Sequence, residues 1–256
     1  MQKAQDTPGD VTGKTPSREE HPPERSRGLL SDIRMFFLHR PKIPTRIRFS
    51  SAEERENYSQ RIMQRLGLAV NEYSVLNIHR IGVDAPARYV FEELLEWNGD
   101  STCWPNHIAT VHRKEGRLEN IEILLFGRKR YLPGFADGLF CMRESPLFDL
   151  NAIRIQRSPD PAGGDNARYL LYACSGGYPI GIFSMYARSS IPEQHESGQT
   201  QLFVVVGFDF YGEKRRPMQR LIGPMWEMVH NRVTANVANR LKQLCEWRFH
   251  KLQQKL

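Results

Sequence analysis

Along residues 201–211 the apolar positions fall on alternate residues: Leu202, Val204, Val206, Phe208 and Phe210, with Gln201, Phe203 and Asp209 between them. A period of two marks a strand, and its even face should point toward a buried layer. From Pro224 the period changes. Ile222, Trp226, Val229, Val233, Val237, Leu241, Leu244 and Trp247 recur at steps of three and four, so they share one stripe of a helix. Pro224 suits a first helical turn, where a missing N–H is harmless. A helix from Pro224 to Leu252 would be roughly 43 Å long at about 1.5 Å per residue. Such a length predicts a broad layer beneath it.

The rest of the chain supplies that layer. Tyr73–Val83 alternates as a strand, and Asp84-Ala-Pro86 caps a helix running to about Trp97, with Val90, Phe91, Leu94 and Leu95 on its buried side. Ser101–His107 forms a loop or short second helix. His107–Lys114 and Leu118–Phe126 make a hairpin around Glu115-Gly116. Residues 128–147 are less regular. Phe148–Arg157 is the next strand, with Ile153 and Ile155 on one face; Tyr169–Cys174 and Ile180–Ser190 follow, separated by Gly-containing turns. There is no internal repeat.

The first 27 residues hold almost no large apolar side chains and read as a disordered tail. Residues 28–40, with Leu29, Leu30, Ile33, Met35, Phe36 and Phe37 among basic residues, read as a strap on the main domain; a short interfacial membrane helix is the alternative. Ser51-Ala-Glu-Glu54 is a capping box that starts a helix from Ala52 to about Leu66. The expected organisation is a tail (1–27), an N-terminal extension with short helices (28–71) and a main domain (72–256).

Charge refines this picture. Residues 1–50 carry ten Lys/Arg against six Asp/Glu, residues 51–212 sixteen against twenty, and residues 213–256 ten against three. Both ends are basic and the body mildly acidic. A solvated helix face and tail account for this; no aromatic interleaving points to nucleic acid, and no specific nucleic acid is expected. No apolar run reaches membrane-spanning length, and the polar start does not read as a secretory signal. Cys103, Cys141, Cys174 and Cys245 form no C-x-x-C pair, consistent with reduced thiols in a cytoplasmic protein.

The order of elements, the Val83-Asp-Ala-Pro86 helix entry, the Trp104-Pro105 element and the run into Trp226-Glu-Met-Val-His230 resemble the START-like (SRPBCC) superfamily over about residues 72–252. The resemblance implies an α+β helix-grip fold. In that fold a curved antiparallel sheet of about seven strands wraps the long C-terminal helix around an apolar cavity for lipids, sterols, polyketides or quinones.

On that expectation Trp226, Val229, Val233 and Val237 line the cavity from the helix, with Val204, Val206 and Phe208 opposite. Taking Val233 as zero, at about 100° per residue, Arg240 falls near −20°, His230 near +60° and Asn236 near −60°. Arg240 could pair a ligand carboxylate or phosphate; a structural ion pair is the plain alternative. His230 could bind or protonate a ligand, or be a satisfied structural group. Asn77 and His79 share strand parity with Val75 and Ile81, so His79 also faces inward. His79, His107 and His230 around one pocket would permit acid–base chemistry. No metal spacing, Walker loop, dinucleotide fingerprint or G-x-S-x-G occurs, and neither metal nor cofactor is expected. The leading expectation is a non-catalytic binder of a hydrophobic or amphipathic small molecule. A cyclase- or hydrolase-like enzyme is the first alternative, and a peripheral membrane or interaction protein the second.

Overall fold

The computed structural model describes Leu30 and residues 40–69, 73, 75–96, 109–114, 119–136, 139–158, 167–175, 181–190, 198–208 and 216–254. The expected tail, nearly all of the 28–40 stretch and the Trp104-Pro105 and His107 element lie outside them. Strands β1 (Val75–Val83), β9 (Thr200–Phe208), β8 (Gly181–Ser189), β7 (Ala167–Ser175), β6 (Phe148–Gln156), β3 (Asn120–Leu125) and β2 (Ala109–Arg113) lie side by side in that order, antiparallel throughout. The first strand therefore pairs with the last, Val75 opposite Phe208 and Val83 opposite Thr200. Residues 128–147, irregular in sequence, form a separate hairpin of β4 (Arg130–Ala136) and β5 (Leu139–Ser145).

Helix α2 (Ala87–Glu96) begins just after Pro86, whose carbonyl accepts from Val90 N at 3.1 Å. Val90, Phe91 and Leu94 bury against the inner face of the sheet. The closing helix α3 (Arg216–Gln253) is longer than its stripe indicates. It begins eight residues before Pro224, which lies inside it, while Pro217 takes the first-turn position. Proline marks a permissible helix start, and either residue satisfies that local rule. An interior proline removes one backbone hydrogen bond, a loss that a helix held along its length can absorb.

The central strands β7, β8 and β9 are buried on both faces. Inside, Ile81, Val83, Met185, Leu202 and Val204 pack with Val233, Val237, Leu241 and Leu244 of α3, so the even face of β9 does meet the closing helix. Outside, Tyr169, Leu171, Ile182, Tyr186, Phe203 and Val205 pack under Ile62, Met63 and Leu66 at the end of α1 (Ala52–Arg65). The near-continuous burial of β7, β8 and β9 follows, as in any strand covered on two sides. The capping box holds with a shift: Ser51 Oγ accepts from Glu54 N at 3.1 Å, but Glu54 Oε2 accepts from Ser50 N and Ser50 Oγ. Met63 is fully buried, so Met63→Ala should destabilise the protein by about 3 kcal/mol in denaturant titration. A change below about 0.5 kcal/mol would mean that α1 does not cover the outer face.

One strand departs from its expected parity. The pairing of β6 with β7 shifts between Ala152 and Arg154, so Ile153 is an extra, bulged residue. It is 56% exposed, while Ile155 packs against the inner core. A bulge flips the alternation beyond it, which is why Ile153 and Ile155 do not share a face.

Candidate functional site: the seam between the first strand, the last strand and the closing helix

Helix α3 lies chiefly over β1. Its C-terminal half is pinned. Arg248 Nη1 donates to Glu93 Oε2 at 2.5 Å, Lys242 Nζ to Gly82 O at 2.8 Å, and Glu246 Oε1 accepts from Asp84 N at 2.8 Å. Between these anchors Val237, Ala238, Leu241, Leu244 and Cys245 are buried. Toward the N-terminal half packing relaxes: Val229 and Val206 are only half-buried, and Met225 and Met228 are exposed.

The buried side of α3 is not centred on the apolar stripe. His230, Thr234, Val237, Ala238, Leu241 and Cys245 are all buried. On the wheel used above they centre near about +90° rather than zero. Small and polar residues thus share the contact face, and they let the helix lie close to the sheet. Two expectations are corrected by this rotation. Arg240 is half-buried, with its Nε shielded from solvent, and Trp247 is 39% exposed.

His79 occupies the centre of the seam and is completely buried. Its Nδ1 lies 2.7 Å from Thr45 Oγ1 and its Nε2 lies 3.0 Å from Asn231 Oδ1. The Asn231 carbonyl oxygen can only accept, so Nε2 carries the proton and Nδ1 accepts from the threonine hydroxyl. Burial, aided slightly by the nearby Arg46 charge, lowers the imidazole from 6.5 to about 4 although the Asn231 bond favours the charged form. The ring is therefore neutral and ties together three elements. One is a strap, residues 40–49, whose Thr45 O accepts from Arg80 N at 2.9 Å and so covers the free edge of β1. Asn239 of α3 clasps the strap's Ile43 peptide, accepting from its N–H and donating to its C=O, each at 2.9 Å.

Beside His79 the register sets Asn77 opposite Val206 and His79 opposite Val204. Phe208 and His230 face each other with ring centroids 4.9 Å apart. The structure thus gathers His79, Val204, Val206 and Phe208 from the sheet with Val229, His230, Val233 and Val237 from the helix. Trp226 lies on α3 one turn before His230, its side chain outside the described residues. Sequence reasoning did not single out Asn231 or Thr45. Asn231 falls near 160° from Val233 at about 100° per residue, on what the stripe made the solvent side. No local signal marks either residue.

At the seam His79 is neutral, with the Arg46 charge acting on it from the strap. Among the described residues the only buried charged side chain is Glu122, which pairs with Lys114 at 3.5 Å and Lys129 at 3.2 Å on β3. Burial pushes the Cys174 thiol up to about 12, so it is not a nucleophile. Among the described residues no cluster of His, Cys, Asp and Glu could hold a metal, and no helix is long and apolar enough to cross a membrane.

A seven-stranded antiparallel sheet whose first and last strands pair, with a helix after the first strand and a long closing helix on its inner face, is the START-like helix-grip fold. That assignment stands on strand order and packing. No protein-family model matches the chain, and no curated protein matches it. Among solved structures it is similar to the Zhui aromatase/cyclase of Streptomyces sp. R1128 at 16% identity, covering 68% of this chain and 94% of that one, with a TM-score of 0.35. It is similar to a START superfamily protein of Mycobacterium smegmatis at 13% identity, covering 66% and 98%, with a TM-score of 0.36. For the protein XoxI of Bacillus cereus the identity is 9%, the coverage 70% and 98%, and the TM-score 0.38.

Proposed function

We propose that this protein binds a hydrophobic or amphipathic small molecule between the inner face of β1 and β9 and the N-terminal half of α3. The observation that carries the reading is the packing gradient along that helix. Val237 and Leu241 are fully buried, whereas Val229 and, across from it, Val206 keep accessible surface beside buried neighbours. An apolar lining with a few neutral polar groups suits a ligand held by burial of its own apolar surface, at about 25 cal/mol per Å², with one or two polar contacts fixing its orientation.

The test is occupancy. Val233 sits on the helix at the start of the loosened region, and Val233→Trp would fill the space beside it. Purified Val233→Trp protein, folded by circular dichroism, should bind Nile red at least roughly tenfold more weakly than the wild type. Equal binding by the two proteins would overturn the reading. Native mass spectrometry of protein purified from its own host would then give the mass of the natural ligand.

A cyclase-like activity has less support. Both ring nitrogens of His79 are engaged, and its neutral form is held well below neutral pH. That leaves His230 as the other described imidazole of the seam, buried and packed against Phe208.

A further inference from the structure

We infer, resting on the binding reading above, that the ligand presents an uncharged oxygen acceptor of the carbonyl class (ketone, quinone, ester or amide) to the side-chain amides of Asn77 and Asn231. Asn77 is 97% buried, on the inner face of β1 two residues before His79. Same-face neighbours on a strand lie about 7 Å apart. Asn231, on α3, meets His79 through its Oδ1, which fixes its amide with Nδ2 turned away from that bond. Neither Asn77 Nδ2 nor Asn231 Nδ2 has a hydrogen-bond partner, and both atoms are shielded from solvent.

A buried N–H donor without an acceptor is costly, and two flanking the same histidine mark a place where an acceptor belongs. Both orphans are donors, so the complementary group is an oxygen lone pair and not a hydroxyl proton or an ammonium. The buried side chains around the two amides are also uncharged. His79 is neutral, the remaining buried polar residues of the seam are amides, hydroxyls and His230, and the cations Arg46 and Arg240 are not themselves among the buried residues. A carboxylate or phosphate brought between the two amides would exchange its hydration for groups that carry no charge of their own. The apolar surroundings, Val75, Val206 and Phe208, form one cluster beside Asn77, so the rest of the ligand is apolar.

Fluorenone and fluorene separate these claims, because they share one tricyclic shape and differ by a carbonyl in place of a methylene. In equilibrium dialysis with the full chain, fluorenone should bind about tenfold more tightly than fluorene, and fluorene-9-carboxylate more weakly than either. Asn77→Leu should remove the preference for fluorenone and leave fluorene binding in place. Equal binding of fluorene and fluorenone to the wild type would overturn the carbonyl inference and leave the binding reading standing. Binding of neither compound would overturn both. Should Asn77→Leu fail to fold, the side-chain amide resonances of Asn77 and Asn231 in the wild type decide. They should shift with saturating fluorenone and stay in place with fluorene. Resonances unmoved by bound fluorenone would assign those donors to trapped water and overturn the inference.

Discussion

Replacing Gly181 with alanine is expected to destabilise the protein by about 3 kcal/mol, at the upper end of what overpacking costs. For a chain of this size that corresponds to roughly 6–12 °C in melting temperature. Gly181 opens β8 opposite Phe208, and a Cβ there would stand 2.1 Å from Gly207 O and 2.8 Å from Phe208 Cα. Those atoms are backbone, so no side-chain rotation relieves the clash and the ends of β8 and β9 must separate. Phe208 carries the ring that packs on His230, so the same substitution should also weaken Nile red binding. Gly198→Ala is the control, because a Cβ at Gly198 meets nothing within 4 Å. Thermal unfolding of both variants checks the claim. Equal melting temperatures would mean that β8 and β9 do not approach so closely.

Acidification should bring a second large loss. His79 is held near 4 in the folded chain against 6.5 when unfolded. Between those values the unfolded state binds a proton there that the folded state does not, so stability falls as pH falls through that window. The full difference is roughly 3 kcal/mol, at about 1.4 kcal/mol per unit. His79→Gln keeps a side chain able to reach Thr45 and Asn231 but cannot titrate. Its stability should be lower than the wild type at pH 7.5 yet decline less between pH 6.5 and about 4, by roughly that 3 kcal/mol. Urea titrations at several pH values give both curves. Parallel curves would mean that His79 takes up its proton alike in the folded and unfolded chain and that the Thr45–His79–Asn231 chain is not as described.

The elements whose residues answer to one buried face were legible from the sequence. The alternation of 201–208 and the three-and-four spacing of 229–244 come from apolar side chains that a single packed layer selects. The break in β6 at Ile153 was not legible, because a bulge adds one residue without changing composition. Nor was the start of α3, since two prolines offer equivalent first turns. In the site, Val204, Phe208, Val233 and Val237 could be named because they are apolar and periodic, and His79 because it shares parity with Ile81. Asn231 and Thr45 escaped notice because their meaning lies in one contact each with His79, across separations of 152 and 34 residues.

By itself, then, the sequence determined an antiparallel sheet followed by a long amphipathic helix, because hydrophobic period is a local property that each element must carry. Tertiary structure alone decided which way α3 is rotated, that α1 seals the outer face of the sheet, and that a strap tied through His79 closes the edge of β1. Those outcomes depend on how small, polar and distant residues fit one another in space. The donor-bearing character of the seam belongs to that second group, because it arises only where Asn77, His79 and Asn231 are buried together.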